Sequence, residues 1–116
     1  MTIPRGRKIR VGSTDFRWRL SSRRVPYDRD SWSYSSRNTG FLTVQLAGGP
    51  GRVCQRWLSW TSGRSVTPES VSIIIRMMME DGWDPHERGA SLVQEDRVDV
   101  DLLPTRENLL RQVMES

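Results

Sequence analysis

Residues 66–85, VTPESVSIIIRMMMEDGWDP, constrain the fold most, because they spell a helix with both ends signed. Thr67 can cap the first turn through its hydroxyl, and Pro68 suits the first helical position, where no amide proton is needed. Val66 and Val71 flank that cap at the spacing of a hydrophobic staple. At the other end Gly82 can take the left-handed conformation and Trp83 can fold back on Met78, while Pro85 forbids continuation. The prediction is a helix from Thr67 to Asp81 with Gly82 at positive φ.

That helix is more apolar than one contact requires. Val71, Ile74, Ile75 and Met78 form a stripe toward a sheet, but Ile73 and Met77 lie four apart on a different face and need a second partner. Either the C-terminal helix covers them or they form a protein interface, and three consecutive methionines, Met77 to Met79, suit an adaptable contact. Glu80 and Asp81 oppose the helix dipole, so an arginine from the first half of the chain is expected beside them.

Before this helix the chain has the period of strands. Ile9 and Val11 alternate with charges, as do Phe16, Trp18 and Leu20. Residues 21–39, with Trp32 and Tyr34 embedded, read as a long polar loop or an irregular edge strand, which Gly40 ends. Leu42, Val44 and Leu46 share one side of a strand, GGPG at 48–51 turns the chain, and residues 53–60 return antiparallel. Trp18, Trp57 and Trp83 are expected in the core. Beyond the helix, Leu92 and Val93 suggest a short strand, and Val98, Val100 and Leu102 an acidic-faced one. Pro104 and Thr105 open a last helix with a stripe of Leu109, Leu110, Val113 and Met114, too short to stand without docking. The expected architecture is α+β: an antiparallel β-meander packed on a central helix, with a short C-terminal helix. A basic tail, residues 1–8, precedes one domain, residues 9–116.

The 116 residues suffice for one core. No apolar run reaches the roughly 20 residues of a membrane span, and no h-region follows the N-terminal charges, so a cytoplasmic, bacterial-type protein is the expectation. Charge is distributed unevenly. Residues 1–64 hold 13 Arg or Lys against 3 Asp, and residues 65–116 hold 5 Arg against 11 Asp or Glu. The halves can neutralise each other within the fold, pair between copies, or leave the first half for an anionic partner.

Catalytic signals are sparse. His86 and Cys54 are the only residues of their kinds, and no motif sets a base beside the thiol. Asp99 and Asp101, near Glu95 and Asp96, lack the pattern of a calcium loop, and GGPG lacks the lysine and helix of a phosphate loop. No catalytic residue, metal or cofactor is expected.

Nucleic acid has two supports. Pro4, Arg5, Gly6, Arg7 and Lys8 resemble an AT-hook core, with Lys8 where that motif usually has its second proline. Arg17, Arg19, Arg52 and Arg56 interleave with Trp18, Trp57 and Trp60. The candidate contacts are Arg5, Arg7, Lys8, Arg17, Arg19 and Arg56.

The Thr67-Pro68 opening and Gly82-Trp83-x-Pro85 closure after Trp-bearing strands also resemble small uncharacterised bacterial proteins in which a β-meander leads into such a helix. That resemblance implies a fold and no activity. The expected function is a small non-enzymatic binding protein, an interaction, adaptor or immunity-type module that uses Ile73 and Met77 toward another protein or a second copy. A nucleic-acid binder is the alternative, and an enzyme the third reading.

Overall fold

The computed structural model describes residues 6–23, 37–61 and 64–115. Five strands form one sheet in the order β1-β2-β3-β4-β5: Arg7–Val11, Thr14–Arg23, Arg37–Leu46, Cys54–Thr61 and Leu92–Asp99. The first four run antiparallel in sequence, as the alternation requires, and β5 joins β4 in parallel. A parallel neighbour needs a crossover, and helix α1, Pro68–Glu80, supplies it. A 3-10 turn, Val100–Leu102, and helix α2, Arg106–Glu115, complete the chain.

Helix α1 has the ends its residues specify. Thr67 lies in extended geometry at the N-cap, and its Oγ1 accepts from the Ser70 amide at 3.2 Å. At the C-terminus Gly82 has φ 107°. The Trp83 amide donates to the Met78 carbonyl at 3.0 Å and the Gly82 amide to the Met79 carbonyl at 3.2 Å, the two bonds of a Schellman closure. Val71, Ile74, Ile75 and Met78 are fully buried against Phe16, Trp18, Leu42, Val44, Cys54, Leu58 and Trp60. Burial of such side chains stabilises by roughly 1.5–3 kcal/mol each, which makes this layer the main source of fold stability.

Several expectations need correction. Both ends of the polar stretch 21–39 belong to strands, because β2 runs to Arg23 and β3 starts at Arg37. Gly40 is thus a buried residue inside β3, opposite Ser22 and Leu58, where it ends nothing. Trp32 and Tyr34 lie outside the described residues. Of the one or two short strands expected after the helix there is one, Leu92–Asp99, and Val100 and Leu102 belong to the 3-10 turn instead of a strand. Trp57 does not join Trp18 and Trp83 in the core. Cys54, Arg56, Leu58 and Trp60 take the helix-facing positions of β4, so period two sends Trp57 to the opposite face, where it stacks on its cross-strand partner Phe41 at a centroid distance of 3.5 Å.

The GGPG turn is fastened to the segment after α1. The Arg52 amide donates to the Glu87 carbonyl at 2.7 Å, the Leu92 amide to Val53 at 2.8 Å, and Trp83 Nε1 to the Arg52 carbonyl at 3.0 Å.

Candidate functional site

Ile73 and Met77 are half-buried and pack against the core cluster. The C-terminal helix does not cover them. Helix α2 meets α1 at one end, where the Arg106 amide donates to Glu69 Oε1 at 3.0 Å, and does not lie along it. The two residues therefore present only a partial apolar surface.

The larger apolar surface belongs to α2 itself, because this helix docks by its polar side. Thr105 caps it, accepting from the Asn108 amide at 3.1 Å, and the buried Asn108 Nδ2 donates to the carbonyls of Val100 at 3.0 Å and Leu103 at 2.8 Å. Thr105, Asn108 and Arg111 recur every third residue, so they share the inward face. The outward face is the apolar stripe. Leu109 is 50% exposed, Leu110 58%, Val113 72% and Met114 85%. Leu109, Leu110 and Val113 also line a shallow groove of about 330 Å³ with Glu69, Pro104 and Arg106. Asn108 finds its acceptors only where the 3-10 turn aims those carbonyls, so the helix is held in this orientation by directional bonds.

The basic residues split into separate locations. Arg5 lies outside the described residues. Arg7 and Lys8 are strand residues, with the Arg7 guanidinium 5.8 Å from the Trp18 ring centroid. Lys8, Arg17 and Arg19 fall on the face of the sheet opposite α1. Arg56 faces the core and is 4% exposed. It is ion-paired with Asp81, and its Nε donates to the Asp96 carbonyl at 2.9 Å. A surface contact through Arg56 is thereby corrected: this arginine belongs to the interior. It is also the first-half cation anticipated beside the acidic end of α1.

Arg64 reaches Asp101 at 3.5 Å. With Arg56 and Asp81 it joins the basic and acidic halves of the chain within one fold.

No family model, curated protein or solved structure matches this chain. Thr67, Pro68, Gly82, Trp83 and Pro85 all sit at or beside the ends of α1, where each has a structural role.

Residues with chemistry of their own stay apart. Cys54 is buried in the core, and desolvation pushes its thiol up to about 11, against the pull of Arg56 and Arg52. A protonated, inaccessible thiol is a poor nucleophile. His86 is exposed, and its backbone amide donates to Asp84. Among the described residues no three His, Cys, Asp or Glu side chains are grouped to hold a metal ion, and no helix is long and apolar enough to cross a membrane.

Sequence reasoning missed the outward direction of the α2 stripe and the placement of Phe41 and Trp57. A signal existed for each. Phe41 alternates with Leu42 and so falls with Thr43 and Gln45, and Asn108 interrupts α2 on the side away from Leu110 and Met114.

Proposed function

We propose that this protein is a non-enzymatic protein–protein interaction module whose contact surface is the outward face of α2. One observation carries the reading: α2 is held to the body through Thr105 and Asn108, which leaves Leu109, Leu110 and Met114 with Val113 in water. A helix that merely completed a core would turn this stripe inward, because each leucine would gain roughly 1.5–3 kcal/mol from burial. Fixed apolar anchors on one helical face match the way a helix lies in a partner's groove. Half-buried Met77 and Ile73 on α1 are secondary to it.

The simplest occupant is a second copy, since a twofold axis lets one stripe cover another. Sedimentation from micromolar to millimolar concentration tests this. The wild type is expected to associate, and Leu110→Glu combined with Met114→Glu to abolish association while leaving the thermal melt unchanged. A wild type that stays monomeric throughout, or a double variant that associates equally, overturns the reading.

A further inference from the structure

We propose that the sheet face opposite α1 binds single-stranded nucleic acid, with Lys8, Arg17 and Arg19 meeting phosphates and the Phe41–Trp57 pair meeting bases. The strand register sets these residues together. Lys8 pairs with Arg17, Arg19 with Thr43, Thr43 with Gln55, and Phe41 with Trp57. Alternate residues share a face and neighbouring strands lie about 4.8 Å apart. The cations therefore form a patch on β1 and β2, with the aromatic pair one to two strands away.

Most of the charge on this patch is unpaired among the described residues. Arg10 and Asp15 neutralise each other at 3.0 Å, whereas Lys8, Arg17 and Arg19 form no ion pair among the described residues. Lys8 and Arg19 are exposed, and among the described residues Arg17 reaches only the Gly6 carbonyl, at 3.5 Å. Beside them Thr43 and Gln55 supply neutral hydrogen-bonding groups, and Phe41 and Trp57 are only partly buried, tilted 37° to each other. Asp99 lies beside Ser59 at the far strand, so the surface favourable to phosphate ends before β5.

A positively charged sheet with accessible aromatic rings matches a splayed single strand, since every base offers a π face and every phosphate a charge. A duplex keeps its bases stacked inside and would leave Phe41 and Trp57 unused. An acidic protein would use the cations alone.

The test is fluorescence anisotropy of the full chain with labelled oligo(dT), oligo(U) and a duplex of equal length across a salt series. Three phosphate contacts predict a log–log salt slope of about −2 for the single strands. Arg19→Gln and Lys8→Gln should each lower that slope by about 0.7, while Arg76→Gln, on an exposed position of α1, should leave it unchanged. Trp57→Ala should weaken binding about tenfold, Trp57→Phe should restore most of it, and oligo(dT) should quench tryptophan fluorescence in the wild type. No binding at low salt overturns the proposal, as does equal affinity for the duplex together with full affinity in Trp57→Ala. This surface does not involve α2, so its test is independent of the association test.

Discussion

Arg56 and Asp81 join β4 to the end of α1: a buried guanidinium on the strand pairs with the residue that caps the helix C-terminus. The same guanidinium holds the Asp96 carbonyl, where residues 95–97 of β5 bulge against Trp57, and reaches Gln94 Oε1 at 3.3 Å. Gln94 in turn donates to the Met78 carbonyl in the last turn of α1 at 2.9 Å. Arg56 thus satisfies groups that two separate segments, the end of α1 and β5, bring to it.

Removing one partner of a buried pair costs more than the pair itself contributes, because the other charge is left desolvated. Asp81→Ala should therefore destabilise by about 3 kcal/mol if Arg56 stays dry, and by about 1 kcal/mol if water reaches it past the half-exposed carboxylate. The exposure of Asp81, 49% of its side chain, favours the smaller figure. Arg56→Ala loses all the bonds that the guanidinium makes to Asp81, Gln94 and Asp96 and should cost more than Asp81→Ala in urea denaturation. The reverse order would contradict the hub.

Two glycines should respond differently to alanine. Gly82 sits at φ 107° with nothing within 4 Å of an added Cβ, so Gly82→Ala costs only backbone strain, about 1 kcal/mol. At Gly51 a Cβ would stand 2.0 Å from the Pro85 carbonyl oxygen. Its neighbours are bound to the segment after α1 and cannot retreat without losing bonds. Gly51→Ala is expected to destabilise by more than Gly82→Ala, with a thermal melt deciding the order.

Trp83 and Trp57 offer a parallel contrast. Trp83 is 2% exposed, lies 5.8 Å from Phe16 between ring centroids, and donates to Arg52. Trp83→Ala should cost roughly 3–5 kcal/mol by leaving a cavity and an unpaired carbonyl. Half-buried Trp57 should cost less on truncation, and iodide should quench it while sparing Trp83. Equal quenching of single-tryptophan variants at the two positions would contradict the assigned faces.

Acid should loosen the β1–β2 hairpin. The hydrogen bond from Arg10 is the largest influence on Asp15 and holds its carboxyl below the ordinary value, outweighing desolvation. A depressed folded value means the pair's contribution is fully present above the unfolded carboxylate range, about 3.9, and is lost as pH falls through the depressed value. NMR titration should place Asp15 lower in the wild type than in Arg10→Gln. Coincident titrations would remove the basis for this coupling.

Sequence alone determined α1 and the central strands, because their signals are local. Thr67, Pro68 and Gly82 act within a turn of their own positions, and Phe16, Trp18, Leu42 and Val44 mark a face by period two. The anticipated arginine beside Asp81 followed from the helix dipole, yet its identity did not. Arg56 could be recognised as interior only once β4 had a register and Asp81, Gln94 and the Asp96 carbonyl arrived from 25 to 40 residues away. The same holds for the candidate surfaces. The stripe of α2 is legible in sequence, but its direction depends on Asn108 meeting carbonyls that exist as acceptors only after the 3-10 turn has formed. Lys8, Arg17, Arg19, Phe41 and Trp57 become one surface through cross-strand register, a relation between distant segments that no local spacing encodes.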